Sequence, residues 1–147
     1  MRINKISGIL VLVAMFVIGL TSCGGYSEKA GEKMIEKYED GEITKDDIAT
    51  CIDWVEDAQN EELEMLQEAL DKSKNLDEYI GKMNECREII EYKWKGLGDV
   101  VEMLSKAGGY DKKTMAHSNR KRWRELQDKY QARLEMINSE AQNKFND

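Results

Sequence analysis

The sequence predicts an all-α protein: an antiparallel bundle of three long helices with a short extra helix in front. Three observations carry this prediction. The 147 residues contain no proline. Leu, Glu, Lys, Met, Gln and Ala, all strong helix formers, recur throughout. Apolar residues return at three- and four-residue spacing between legible capping signals.

The first helix reads from Ser27 to Asp40, carrying Ala30, Met34, Ile35 and Tyr38 and closed by Gly41. Thr44 then has the place of an N-cap, with Asp47 at the capping-box position and Ile43 able to staple onto Ile48. The second helix runs from Lys45 to about Lys72, with one stripe of Ile48, Ile52, Val55, Leu63, Leu66 and Leu70 beside another of Cys51, Trp54, Ala58, Met65 and Ala69. Together the stripes span half the circumference, as expected of a helix contacted by two others. Asn75 and Glu78 repeat the box before a third helix that bears Leu76, Tyr79, Ile80, Met83, Cys86, Ile90, Trp94, Leu97, Val101 and Leu104 and ends at Gly108-Gly109. Gly96 and Gly98 each weaken a helix interior by about 1 kcal/mol relative to alanine. Asp99 with Glu102 also offers a fresh start, but the stripe favours a helix continuous to Ala107. A fourth helix follows, capped by Asp111 with Tyr110 stapling onto Met115, and its seam is Ala116, Trp123, Tyr130, Leu134, Ile137 and Ala141.

The N-terminus is of another kind. Arg2 and Lys5 precede fifteen uncharged residues, Ile6 to Leu20. That is the length of a signal-peptide core, about 7–15 residues, and short of the roughly 20 that span a bilayer. Leu20-Thr21-Ser22-Cys23 resembles the lipobox of bacterial lipoproteins. The resemblance implies a diacylglycerol on Cys23, cleavage before it and acylation of the new N-terminus. Residues 1–22 are then signal, 23–27 a lipidated tether and 28–147 a single domain. Two or more acyl chains anchor stably where one does not. By the same resemblance, Gly24 in place of a retention aspartate implies the outer membrane where the cell has one. The stretch EKYEDGEITKDDIATCIDWVED is similar to segments of small helical bacterial lipoproteins, which implies fold and carries no activity.

Charge is unevenly divided. Tyr26 to Glu91 holds 21 acidic against 8 basic residues, and Tyr92 to Asp147 holds 12 basic against 8 acidic. The halves can neutralise each other, or the acidic one can attract a cationic partner. No catalytic constellation emerges. His117 is the single histidine and reads as a surface residue near a helix start. Glu61, Glu64 and Glu68 share helical spacing that could meet a cation but more often marks a solvated face, so no metal or cofactor is expected beyond the Cys23 lipid. In RKRWRELQDKY the charges of Arg120, Lys121, Arg122 and Arg124 point around the helix, which suits headgroups or acidic helices better than nucleic acid.

Register adds two expectations. A turn centred between Ser73 and Lys74 puts Cys51 level with Gly96, ten residues or about 15 Å from Cys86. Bridged Cα atoms lie within about 7 Å, so both thiols should be buried and free. The same turn puts Trp54 level with Lys93, and a second at Gly108-Gly109 puts Trp94 level with Trp123. The three tryptophans then form one layer, with Trp94 and Trp123 central and Trp54 at the edge or covered by the first helix. Such a layer is plain core, or, more sharply, an aromatic ligand cleft. These features predict a membrane-anchored, non-enzymatic envelope protein whose bundle binds a protein or serves as a structural element. The alternative is an inhibitor or defence protein that captures a cationic enzyme or peptide through its acidic half.

Overall fold

The computed structural model describes residues 25–110 and 115–146. The Leu20–Cys23 motif lies outside the described residues, as does Asp111 itself; the cap expected of Asp111 is corrected, because the last helix starts six residues later with Ala116 at its N-cap and no side-chain cap bond. Among the described residues the regular structure is all helix, with no strand: α1 Glu28–Glu39, α2 Lys45–Lys72, α3 Leu76–Lys93, α4 Leu97–Tyr110 and α5 His117–Phe145.

The starts of α1 to α3 follow local hydrogen bonding. Ser27 accepts the Ala30 N–H at 3.0 Å. Thr44 and Asp47 exchange both bonds of a capping box, at 3.1 and 3.0 Å. The Ile43–Ile48 staple is buried at both ends, 5% and 0% exposed. Asn75 accepts from the Glu78 N–H at 2.9 Å. Each cap satisfies donors that an isolated helix end leaves open.

Two boundaries differ from the sequence expectation. The third helix is broken: Trp94 caps α3 through its N–H to the Ile90 carbonyl, and α4 restarts at Leu97. Gly96, at φ 83°, makes the break in a region where side chains are disfavoured. Breaking the helix lets α3 and α4 serve different parts of the core. The last helix begins at His117, since Met115 and Ala116 are not helical, and α4 runs on through Gly108-Gly109 to Tyr110.

The long helix α2 is the spine. Neighbouring α5 runs parallel to it, because their contacts rise together: Asn119 to the Lys45 carbonyl, Arg122 to Asp53, Tyr130 to Glu62, Lys144 to the Leu70 carbonyl. Helix α3 runs antiparallel along the C-terminal half of α2, with Cys86 against the Met65 carbonyl and Lys93 against Glu61. Helices α1 and α4 pack on each other and on the N-terminal half. The core consequently divides. One cluster gathers Ile48, Ile52, Val55, Val100, Leu104 and Met115 at 1% exposure or less. The other, around Leu63, Leu70, Tyr79, Cys86, Ile137 and Ala141, is bounded by α2, α3 and α5.

Candidate functional site

The best-built local feature is a slot for Tyr26, two residues before α1. Its ring stacks on Trp94 and meets Trp54 edge-on, each with centroids 5.4 Å apart. Its hydroxyl donates to the Lys95 carbonyl at the helix break. Two glycines make the room: a Cβ on Gly31 would stand 3.1 Å from the ring, and one on Gly96 would stand 3.2 Å from the hydroxyl. Burial, then the charges of Glu28, Asp99 and Glu32, pushes the Tyr26 phenol up to about 12. The residue acts as a latch that ties the chain's entry point to the α3–α4 break.

All three tryptophans contribute to the first cluster, but unequally. Trp54 and Trp123 are 5% and 9% exposed and share a level, as the Asp53–Arg122 pair beside them shows. Trp94 is only half-buried and donates Nε1–H to Glu61 at 3.2 Å. A turn at Ser73-Lys74 would set Cys86 level with Glu61; Cys86 instead meets the Met65 carbonyl, four residues or about 6 Å along α2. The chain needs Ser73 to Asn75 to leave one helix and cap the next, and this slides α3 along α2. Tyr26, not a second indole, joins Trp94 to Trp54.

Polar groups collect at the waist between the clusters. Lys93 bonds the Glu61 carboxylate at 2.7 Å with its side chain 15% exposed. Arg122 bridges Asp53 and Glu56 at 2.5 and 2.9 Å. Tyr130 donates to Glu62 at 3.0 Å, and burial followed by the Glu62 charge raises its phenol. Gln59 donates to Gln127 at 3.4 Å. The acidic half is thus partly matched by basic residues of the other half.

Below the waist the apolar surface is incompletely covered. Leu76 and Ile80, one turn apart on α3, are each 46% exposed, and Met136 on α5 is 55% exposed. Met65, Leu66, Met83, Leu134 and Phe145 are only partly buried around the second cluster.

The remaining sequence candidates are dispersed. His117 is exposed at the first position of α5. Glu61 is engaged by Lys93 and Trp94, Glu68 pairs with Lys72, and Glu64 is exposed. Among the described residues no three His, Cys, Asp or Glu side chains converge on a metal-sized site. Of the basic run, Arg122 turns to the acidic helix, Lys121 pairs with Glu125 on its own helix, and Arg124 is exposed. Arg120 is half-buried. Cys51 and Cys86 are buried, free and in separate clusters.

Tyr26 is the residue that sequence reasoning passed over. Its signal was present, an aromatic just before the Ser27 cap and four residues after it a glycine, Gly31, where a staple would have a side chain. No described helix is long and apolar enough to cross a membrane. The chain matches no protein-family model, no curated protein and no solved structure.

Proposed function

We propose that this chain is an envelope lipoprotein held by lipid on Cys23, whose helical domain is a protein-binding or structural module and not an enzyme. The anchor reading rests on the charged head, the fifteen-residue apolar run and the Leu20–Cys23 box. The observation that carries the module reading is the apolar surface on α3, where Leu76 and Ile80 stand nearly half exposed beside a thinly covered cluster. Exposed apolar groups in contiguous patches mark contact surfaces. We read the scaffold as an antiparallel three-helix bundle in which α3 and α4 form one leg between α2 and α5, with α1 added alongside. Capture of a cationic partner by the acidic half is less supported, because Asp53, Glu56 and Glu61 already meet Arg122 and Lys93.

Two experiments test this reading. A photo-crosslinking residue at Ile80 in intact cells should give a discrete adduct with an envelope protein, whereas one at exposed Asp128 should not; adducts equal at both positions would refute the contact surface. Metabolic labelling with a fatty-acid probe should mark the protein and be lost in Cys23→Ala. Equal labelling of that variant would refute the anchor.

A further inference from the structure

The break between α3 and α4 gives one carbonyl a choice of partner. In an unbroken helix the Lys95 carbonyl would accept from the Asp99 N–H, four residues on. Here the Asp99 N–H turns to the Gly96 carbonyl at 3.2 Å, and the Leu97 N–H to the Trp94 carbonyl at 3.0 Å. The Tyr26 hydroxyl donates to the Lys95 carbonyl instead. Tyr26 therefore stands where a helical hydrogen bond would close.

The apolar pattern also suits the unbroken form. Leu97 is eighteen residues from Tyr79 and Leu104 eighteen from Cys86. Eighteen residues are five whole turns, so a continuous helix would set all four on one face. Cys86 meets the Met65 carbonyl on antiparallel α2. Extended straight from there, Leu97 would come level with Trp54, Val100 with Cys51 and Gly108 with Ile43. The structure holds Gly108 elsewhere: a Cβ on it would stand 4.0 Å from Trp123 of α5, which shares the level of Trp54. That is eleven residues of α2, or about 16 Å, short of the straight position. The break thus swings α4 off the axis of α3, against α1 and toward α5. Tyr26 also lies on Trp54, and Glu61 meets Lys93 of α3; these two α2 positions are about 20° apart round the helix. The ring therefore occupies the row along which a straight helix would run. The two arrangements exclude one another.

We propose that Tyr26 is the pin of a two-state leg. Seated, it holds α3 and α4 as two helices with the break at Gly96. Withdrawn, it frees the Lys95 carbonyl and the Trp54 row together, and α3 and α4 join into one helix along α2. Gly96 serves both forms, because without a Cβ it reaches φ 83° freely and can still enter a helix. The seated form prevails in the native chain for two reasons. A helix running through Gly96 and Gly98 is weakened at both positions. The seated ring adds its contacts with Trp54 and Trp94 and its bond to the Lys95 carbonyl. A partner that takes up Tyr26 binds only the straight form, and so shifts the leg toward it.

Pulsed double electron–electron resonance on the full chain tests the pin. Nitroxides go on Glu88→Cys of α3 and Lys106→Cys of α4, both exposed. Cys23→Ala removes the third native thiol, and Cys51 and Cys86 are buried. Eighteen residues of continuous helix set the labels about 27 Å apart, and the seated form brings them roughly 5–10 Å closer. With Tyr26 in place the shorter distance should dominate. Tyr26→Ala should raise the population near 27 Å by about threefold or more. Tyr26→Phe, which fills the slot but releases the carbonyl, should raise it less. Gly96→Ala disfavours the backbone of the break. It should therefore raise the same population with Tyr26 still present, and it carries the test if Tyr26→Ala does not fold. A distance unchanged in both alanine variants, while circular dichroism stays helical, overturns the proposal. So does a distribution that only broadens, with no component near the straight-helix distance, because that is unravelling and not a second helix.

Discussion

Replacing Gly31 by alanine sets two effects of opposite sign against each other. In a helix interior alanine is favoured over glycine by about 1 kcal/mol. The new Cβ, however, would stand 3.1 Å from Tyr26 Cε2, 3.3 Å from its hydroxyl and 3.4 Å from Val100 Cγ2. The ring cannot easily retreat, being stacked on Trp94, set against Trp54 and bonded to the Lys95 carbonyl. Over-packing of this kind costs about 1–3 kcal/mol. Gly31→Ala should therefore be neutral to destabilising by about 2 kcal/mol. In a Tyr26→Ala background the ring is gone and the propensity gain should emerge, about 1 kcal/mol less a small Val100 contact. The coupling between the two sites is then about 1–3 kcal/mol, read from urea midpoints at unchanged m-value in a double-mutant cycle. If Gly31→Ala stabilises equally in both backgrounds, Tyr26 is not seated in the slot.

Other outcomes follow from the same geometry. Gly96→Ala, at φ 83° and with its Cβ 3.2 Å from the Tyr26 hydroxyl, should lose about 1–2 kcal/mol. Gly98→Ala, with nothing within 4 Å, should be neutral or stabilising, and a reversed order in urea unfolding would place the break elsewhere. Trp54→Ala should lose about 3–5 kcal/mol and half-buried Trp94→Ala clearly less; similar losses would return Trp94 to the core. Alkali should destabilise the protein. Burial, followed by the charges of Glu28, Asp99 and Glu32, raises Tyr26 from 10.0 to about 12. The folded state therefore favours the neutral phenol, whose contribution is intact below pH 10 and lost between pH 10 and 12. Tyr26→Phe should flatten that decline in stability measured against pH; an unchanged slope would remove Tyr26 from its cause. Burial pushes the Cys51 thiol to about 12 and raises that of Cys86. Neither should react with a thiol reagent in the native protein, and both should react after unfolding without reductant; a missing reactive pair would reveal a disulfide.

The sequence by itself determined the helical class and the starts of α1, α2 and α3, because those features are satisfied over three or four residues. Ser27, Thr44 and Asn75 each bond a backbone N–H three positions on, so the pattern is complete within a short window. The motif ending at Cys23 is a pattern of the same short range, whereas the expected single layer of tryptophans rested on the register of two turns, and α3 slides from that register. Only the tertiary structure decided where the third helix stops, how far α3 slides along α2 and what Tyr26 does. Gly96 and Gly98 both permitted a break, and an unbroken apolar stripe argued equally well for continuity. What settles it is a hydrogen bond between residues 69 positions apart, Tyr26 to Lys95, in a slot opened by Gly31 from another helix. Periodicity along one helix records which face is buried. It cannot record which distant side chain will arrive to fill the gap, because that depends on packing between surfaces that meet only after the helices have formed.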